Sequence, residues 1–292
     1  MSPGILMAIG AYVSWGLLPV YWKLLSHVPA SQLLCHRIVW SFVSLALFLG
    51  LTRKLGSMRR SLTPAVWNSS FLASALMGVN WFIYVWSVNS GFIIEASLGY
   101  FMTPLFSVLL GVFILRERLR TLQWIPLGLA AAGVAYLTIE YGRPPWIALA
   151  LSSTFSLYGL VKKKAPLGAF EGLTLETALL LLPALGWLVW SETGGHGVFL
   201  HAGTLSDALL LCSGVVTTAP LVMFAAAAHR IPLSMIGFLQ YIAPSIQFLL
   251  GVLVYGEPFA GPQITGFGLV WAAVLAFCYE RWRFGRLLRN PT

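Results

Sequence analysis

The stretch PLFSVLLGVFILRERLRTLQWIPLGLAAAGV at residues 104–134 has a counterpart 140 residues later, PSIQFLLGVLVYGEPFAGPQITGFGLVWAAV at residues 244–274. The two stretches are identical at 11 of 31 positions. Leucine, glycine and valine coincide by chance in any apolar stretch, but composition does not explain three other pairs. These pairs are Pro104 with Pro244, Glu117 with Glu257, and Gln123 with Gln263. The chain is therefore predicted to contain an internal repeat.

The composition is that of an integral membrane protein. Of the 292 residues, 58% are hydrophobic and 9% are charged, whereas a soluble domain has about 25% charged residues. A net charge of +9 would suggest nucleic-acid binding in a soluble protein, but here it indicates basic cytoplasmic loops. Cys35, Cys212 and Cys278 lie in apolar runs without paired spacing, so neither a disulfide nor a metal site is predicted.

A membrane-spanning helix needs about 20 mostly apolar residues, and ten segments meet that requirement. The first is predicted to be a span rather than a secretory signal, because it has no basic start and no A-x-A cleavage site. The connections between the segments are short, so little soluble domain is expected. The ten segments lie near residues 4–22, 32–52, 68–88, 95–115, 122–140, 145–161, 172–190, 206–228, 232–255 and 262–281, and the longest loops are 53–67 and 191–205.

The basic residues orient these spans. With the N-terminus in the cytoplasm, 15 of the 18 Lys and Arg residues fall in cytoplasmic loops or in the C-terminal tail. Lys23 and Arg143 fall outside, and Arg37 lies within a span. This asymmetry is the positive-inside pattern. It favours an even number of spans, with both termini in the cytoplasm.

The repeat and the span count together predict the fold class. We expect an all-α membrane protein whose ten transmembrane helices form two five-helix repeats, residues 1–142 and 143–292, the second ending in a short basic cytoplasmic tail. Because each repeat has an odd number of spans, the second must insert upside down. Inverted repeats are typical of secondary transporters, which bind substrate near the membrane midplane between the halves. Alternating access follows, since near-symmetric inward-open and outward-open states lie close in energy.

Motifs throughout the chain resemble the drug/metabolite transporter superfamily of the EamA type. In the first half these are AYVSWGLLPVYWKLL, HRIVWS, NWFIYVWSVN, EASLGYFMTPL and LGVFILRERL. In the second half, four motifs are similar to the RarD branch of that family: FSLYGLVKKK, LTLETALLLLP, GVVTTAPLVMFAAAAHR and GFLQYIAPSIQFLLGVLVYGE. The resemblance implies an inner-membrane carrier. It implies no substrate, because the branch, often labelled chloramphenicol-sensitive protein, is named from a sensitivity phenotype.

Charged residues inside spans are the first candidates for function. Arg37 and Glu95 both lie near the outer ends of their spans, so we expect them to form an outer gate, or Arg37 to bind an anionic group of the substrate. A static ion pair, or an arginine that reaches the outer surface, is the alternative. Glu176 lies near the inner end, as an inner gate, a proton-titrating carboxylate, or a residue held by a loop lysine. His36 either titrates near neutral pH or is a hydrogen-bonded structural residue.

Polar and aromatic residues at mid-depth are predicted to line the substrate cavity. Rings beside amide and hydroxyl groups suit an amphipathic or aromatic metabolite, although tryptophan and tyrosine also form belts at the membrane surface. Pro104 and Pro244 lie in mid-span, where each is expected to kink its helix and to act as a hinge or as a fixed bend. The predicted cavity residues are Tyr12, Trp15, Asn80, Trp81, Tyr84, Tyr100, Tyr158, Thr217, Thr218, Gln240 and Tyr241.

These features predict a non-enzymatic secondary transporter that exports small metabolites or drugs. Since no Walker-type phosphate loop occurs, a proton gradient is the candidate driving force, with Glu95, Glu176 and His36 as candidate carriers. The expected partners are a small-molecule substrate, membrane lipids and protons, without nucleic acid, cofactor or metal, and we expect a monomer or weak homodimer. The alternatives are a non-transporting membrane scaffold or sensor, and an intramembrane lipid-modifying enzyme, which the nine scattered acidic residues disfavour.

Overall fold

The computed structural model describes residues 2–90, 92–142, 144–256 and 261–289. Two residues used in the sequence analysis, Glu257 of the repeat and Arg143, lie outside the described residues. The side chains of Gln263, Cys278 and the four arginines of the tail also lie outside the description.

Within these ranges the chain forms helices and no β-strand, which confirms the predicted all-α class. A 3₁₀ turn, Thr121–Gln123, precedes α6, and a π-helical turn, Leu250–Val254, follows α11. The α-helices are α1 (Pro3–Leu24), α2 (Ala30–Leu51), α3 (Leu55–Arg60), α4 (Pro64–Asn89), α5 (Ile93–Phe113), α6 (Trp124–Tyr141), α7 (Trp146–Lys164), α8 (Ala169–Thr193), α9 (Thr204–Ala228), α10 (Leu233–Gln240), α11 (Ile242–Leu249) and α12 (Pro262–Arg289).

Each predicted apolar segment coincides with helical structure, but one prediction of local structure is wrong. Residues 53–67, predicted as a loop, contain the short helix α3. The predicted span 232–255 coincides with the apolar helical stretch Leu233–Val254, which is divided locally into α10, α11 and the π turn. The division lies beside Pro244, which has no N–H to donate to the carbonyl of Gln240 four residues earlier. Pro104, its counterpart in the repeat, lies within the continuous helix α5.

Seven helical stretches of the described chain are long and apolar enough to cross a membrane by length and composition. Two shorter apolar stretches, Leu98–Phe113 and Ile264–Phe277, lie within α5 and α12. A helix suits this environment because it satisfies its backbone hydrogen bonds internally. The protein is therefore a multi-pass membrane protein. The seven stretches are Pro3–Leu24, Ala30–Leu51, Pro64–Ser87, Thr121–Glu140, Ala169–Thr193, Thr204–Ala228 and Leu233–Val254.

Proline and glycine determine several helix ends. Pro3 and Pro64 are the first residues of α1 and α4, where a missing N–H removes no intrahelical hydrogen bond. Pro145 and Pro232 directly precede α7 and α10. Gly142 ends α6 with φ 74°, a left-handed conformation that glycine adopts without steric cost. These breaks keep the loops between the helices short.

Contacts between helices that are distant in sequence hold the bundle together. Helix α2 packs against α8 and α9, α1 against α9 and α11, and α5 against α7 and α10, while α4 packs against α7 and α6 against α12. The backbones of α2 and α9 approach closely at Gly214, where an added Cβ would lie 2.2 Å from the carbonyl carbon of Trp40. A side chain at this position has no room, so glycine permits the contact.

We expect Gly214→Ala to lower the thermal unfolding temperature strongly, because the new methyl group would overlap the Trp40 backbone. Overpacking of this kind costs about 1–3 kcal/mol. The control is Gly186→Ala in α8, whose added Cβ would meet no atom within 4 Å. It should leave the unfolding temperature unchanged or raise it slightly, since alanine favours a helix over glycine by about 1 kcal/mol. Thermal unfolding in detergent measures both variants, and an equal response would contradict the close approach.

Candidate functional site

The guanidinium of Arg37 lies among neutral side chains from three other helices. Its Nε–H donates a hydrogen bond to Thr217 Oγ1 of α9 at 3.1 Å. Its Cζ lies 4.7 Å from the ring centroid of Trp22 in α1 and 5.2 Å from that of Trp81 in α4. Cation–π contacts of this kind attract the charge without neutralising it.

Two tyrosines extend this environment. The ring centroids of Tyr84 and Tyr100 lie 6.0 Å apart, and both residues are within electrostatic reach of Arg37. Tyr84 is 36% exposed and Tyr100 is 43% exposed, and Arg37 is itself partly exposed. A charge that keeps exposed surface within an apolar helix is typical of a residue that faces an aqueous cavity. We call the following six residues the arginine site: Trp22, Arg37, Trp81, Tyr84, Tyr100 and Thr217.

Glu95 lies at the start of α5 and contacts α7. It is almost completely buried, and its Oε1 accepts a hydrogen bond from the N–H of Ile147 at 2.7 Å. Ile147 is the second residue of α7, where free N–H groups and the helix dipole favour an anion. Among the described residues, no carboxylate oxygen lies within 4.0 Å of Arg37. The predicted Arg37–Glu95 pair is thus absent from the described contacts, and Arg37 keeps neutral neighbours.

Five rings from α1, α7 and α9 pack together, nearer to the N-terminal end of α1 than Trp22. Neighbouring ring centroids are 5.5 to 6.4 Å apart. Tyr12 and Tyr158 are fully buried, so these two predicted cavity residues are packed inside the protein in this conformation. We call the five residues the inner aromatic cluster: Tyr12, Trp15, Phe155, Tyr158 and Phe224.

A buried ion pair adjoins this cluster. Lys162 Nζ lies 2.7 Å from Glu176 Oε1, and the two side chains are 1% and 7% exposed. The Tyr158 hydroxyl donates to Glu176 Oε2 at 3.1 Å, so both carboxylate oxygens are hydrogen-bonded. Glu176 is thus held by a lysine of α7, whereas the predicted alternative placed that lysine in a loop, and a role of Glu176 as gate or proton carrier stays a prediction.

Charged residues at the same end of the bundle bind helix termini. Lys163 Nζ donates to the carbonyl of Ile231 at 2.7 Å, just after α9. Glu117 accepts hydrogen bonds from the N–H groups of Leu233 at 2.7 Å and Ser234 at 2.9 Å, the first two residues of α10. Glu117 therefore caps α10 as Glu95 caps α7, in both cases where the helix dipole stabilises a carboxylate.

His229 and Arg230 follow α9 and line an open groove of about 770 Å³ beside the starts of α1 and α8. Burial of the imidazole lowers the pKa of His229, and the positive charges of Lys162 and Arg230 lower it further, whereas a hydrogen bond with the backbone of Leu167 raises it. His229 is therefore neutral near pH 7, since its ordinary pKa is already about 6.5. It adds no positive charge to this end of the bundle.

Other predicted cavity residues make hydrogen bonds that join helices. Asn80 Nδ2 donates to the carbonyl of Leu151 and to Thr154 Oγ1 in α7, each at 2.9 Å. The Tyr241 hydroxyl donates to the carbonyl of Phe101 at 3.4 Å. Two further members of the predicted set are also buried, Thr218 and Gln240. The structure thus divides the predicted cavity set between the arginine site, the inner aromatic cluster and these structural positions.

The loop between α8 and α9 folds back onto α2 near His36. Gln32 Nε2 donates to the carbonyl of His196 at 2.6 Å, and its Oε1 accepts from the N–H of Val198 at 3.0 Å. The ring of Phe199 then lies 5.2 Å from that of His36. His36 is buried, and its Nδ1 has no hydrogen-bond partner among the described residues. Gln32 therefore acts as a clamp on this loop.

Four residues of these sites are absent from the predicted set. Trp22 adjoins Lys23 and is therefore easily taken for a residue of the membrane surface, and Phe155 and Phe224 have no polar group to mark them. Lys162 begins a run of three lysines that the sequence analysis assigns to a loop. Its spacing of four residues from Tyr158 is a signal that could have identified it, because residues four apart share one face of a helix.

The chain has relatives among known proteins, both in sequence and in fold. Residues 2–139 match the EamA-like transporter family. Protein RarD of Streptomyces exfoliatus is 45% identical over 98% of this chain and 91% of its own length. The uncharacterized transporter YojE of Bacillus subtilis (strain 168) is 44% identical over 98% of this chain and 97% of its own. One protein of known crystal structure, 18% identical, superposes with a TM-score of 0.72 over 96% of this chain and 98% of its own, a likeness of fold.

We expect Lys162→Met and Glu176→Leu to destabilise the protein more as single changes than when combined. Each single change leaves a buried charge without its partner, which costs about 3–5 kcal/mol, whereas replacing both partners by apolar residues is often nearly neutral. Thermal unfolding in detergent should therefore show a double variant that is more stable than either single variant.

The exposed pair of His201 and Glu192 supplies the control for this cycle. Its side chains lie 2.8 Å apart but are 59% and 55% exposed. Exposed ion pairs contribute about 0–1 kcal/mol, so Glu192→Gln should change the unfolding temperature little. Additive losses in the Lys162 and Glu176 variants would show that the two residues do not depend on each other.

We expect Gln32→Leu to release the loop between α8 and α9, because the variant cannot bond to His196 or Val198. Hydrogen–deuterium exchange of the peptide containing Val198 should accelerate roughly tenfold, since each lost hydrogen bond is worth about 1 kcal/mol. The control is Gln247→Leu, whose native amide donates to the carbonyl of Trp15 elsewhere in the bundle. Equal exchange in wild type and Gln32→Leu would argue against the clamp.

Proposed function

The chain belongs to the EamA-like transporter family, in its RarD branch, and from that premise we propose that it is a secondary transporter that exports small metabolites or drugs by alternating access. The proposal includes ten spans in a bacterial inner membrane, arranged as two inverted five-helix repeats, with both termini in the cytoplasm. The observation that carries it is the arginine site, a partly exposed charge with neutral neighbours inside an apolar bundle.

The helix boundaries support the inverted repeat. A shift of 140 residues moves the bounds of α2 to 170–191, close to those of α8 at Ala169–Thr193. The same shift moves α4 to 204–229, which matches α9 at Thr204–Ala228. The contacts between helices repeat in the same way. The contact of α1 with α9 corresponds to the contact of α7 with α4, and the contact of α2 with α9 corresponds to the contact of α8 with α4. Two halves with exchangeable contacts are what alternating access requires.

We propose that this conformation is closed toward the cytoplasm. In the proposed orientation, the inner aromatic cluster and the Lys162–Glu176 pair lie in the inner half of the bundle, where the ion pair and three of the five rings, Tyr12, Tyr158 and Phe224, are buried. The arginine site lies in the outer half and keeps exposed surface at Tyr84 and Tyr100. Opening to the cytoplasm would require the five rings to separate.

We propose that a proton gradient drives transport and that Glu176 carries the proton, because its contacts with Lys162 and Tyr158 depend on its charge. Protonation of Glu176 would remove the charge that holds Lys162 and would leave the Tyr158 hydroxyl without an ionised acceptor. Both contacts join α7 to α8 within the inner half. Glu95 and His36 remain candidate carriers. A proton taken up by Glu176 would thus loosen the contacts that close the inner half of the bundle.

Transport in proteoliposomes tests the function. Flux of a panel of amphipathic solutes, chloramphenicol among them, is measured with and without an imposed pH gradient and compared with protein-free liposomes. We expect a pH gradient to accelerate wild-type flux severalfold. The double variant Lys162→Gln/Glu176→Gln should keep flux but lose the acceleration, because it removes both charges without leaving one buried alone.

Two further variants complete the experiment. Glu192→Gln, at the exposed C-terminal end of α8, should respond to the gradient as wild type does. Glu95→Gln can still accept the Ile147 hydrogen bond and tests the second carboxylate. Undiminished acceleration in the double variant and in Glu95→Gln would overturn carboxylate coupling, and absence of flux for every solute would favour a non-transporting membrane protein.

A further inference from the structure

We infer that the transported solute carries a carboxylate and that the arginine site binds it through Arg37. This inference rests on the proposed transport function and names its substrate class. Arg37 is a permanent cation, since the guanidinium does not lose its proton in proteins. Intramembrane cations are retained where they have a partner. Here the described neighbours are two indole rings and a hydroxyl, which leave the net charge uncompensated.

The hydrogen-bonding capacity of Arg37 supports a bidentate ligand. A guanidinium has five N–H donors in one plane, and Nε–H is used by Thr217. The described hydrogen bonds include no acceptor for the four donors on the two Nη atoms. The indole contacts of Trp22 and Trp81 are made by ring faces near the Cζ atom. The Nη edge is therefore the part of the guanidinium left for a ligand, and its geometry matches the two oxygens of a carboxylate.

The two tyrosines of the arginine site indicate the chemistry of the part of the solute that adjoins the carboxylate. Tyr84 and Tyr100 keep 36% and 43% of their surface exposed, and their rings lie at 67° to each other. Aromatic faces with nearby hydroxyl groups bind an apolar or planar group with a few polar substituents. The positive charge of Arg37 would repel an organic cation. The site therefore selects an apolar monocarboxylate over its neutral amide and over a cation of similar shape.

Binding to the purified full-length protein tests this selectivity. Quenching of intrinsic tryptophan fluorescence is measured for three carboxylates, benzoate, 4-phenylbutyrate and hexanoate, for their primary amides, and for benzyltrimethylammonium. We expect each carboxylate that binds to do so at least about tenfold more tightly than its amide, because charge-assisted bidentate pairs are much stronger than neutral hydrogen bonds. The cation should not compete with a bound carboxylate.

Variants assign the selectivity to Arg37. Arg37→Gln should bring the ratio of carboxylate to amide affinity close to one. Arg37→Lys, which keeps the charge without the planar fork, should give an intermediate ratio. Thr217→Val should weaken binding a few-fold and keep the preference. The matched control is Arg60→Gln in the exposed helix α3, which should bind as wild type does. Size-exclusion profiles of all variants identify any that fail to fold.

The outcomes separate this inference from the proposed function. Carboxylates and amides that bind equally, or an unchanged preference in folded Arg37→Gln, would overturn the inference, as would the absence of saturable binding for all three carboxylates. Equal flux of a carboxylate and its amide in proteoliposomes would also overturn it and leave transport intact. Selective binding without flux of any bound solute would support the inference and count against the transport function.

Discussion

The hydrocarbon core of a membrane offers no partner to a backbone polar group or to a charge, and most of this structure follows from that constraint. Glu95 and Glu117 bind the free N–H groups at the starts of α7 and α10. Glu176 is satisfied by Lys162, and Asn80 donates to a backbone carbonyl and a hydroxyl of α7. These four side chains therefore act as links between helices, each placed where another polar group needs a partner.

Three polar residues depart from this pattern. Arg37 has neutral described neighbours, and His36, the residue before it, has an Nδ1 atom without a described partner. Gln240 Oε1 is likewise buried and without a described partner, and the nearby Pro244 leaves the Gln240 carbonyl without its usual donor. Natural proteins break local rules mostly at functional sites. Unused hydrogen-bonding capacity inside the bundle is thus the property that a solute or a proton would exploit.

Hydropathy and the repeat predict the helices well, because both depend on residues that are close in sequence. The partners of individual side chains are harder to predict. Arg37 and Glu95 are predicted to share a depth in the membrane, but the rotation of each helix about its axis turns Glu95 toward α7 and Arg37 toward Trp22, Trp81 and Thr217. Depth follows from the distance to a helix end, whereas rotation depends on the packing of the whole bundle. The depth of a residue can therefore be predicted from the sequence, and its contacts cannot.

The two acidic caps constrain how the proposed halves could move. Glu95 and Glu117 belong to α5 and to the loop after it, and they bind the starts of α7 and α10 in the other half. Helix α5 also packs along α7 and α10, so these helices resist separation. Helices α2, α8 and α9 pack against one another rather than along α5, so the packing favours a movement of these three together. The arginine site draws Arg37 from α2 and Thr217 from α9, but Tyr100 from α5. A shift of the first group against α5 would change the geometry of the site, and binding would thereby be coupled to access.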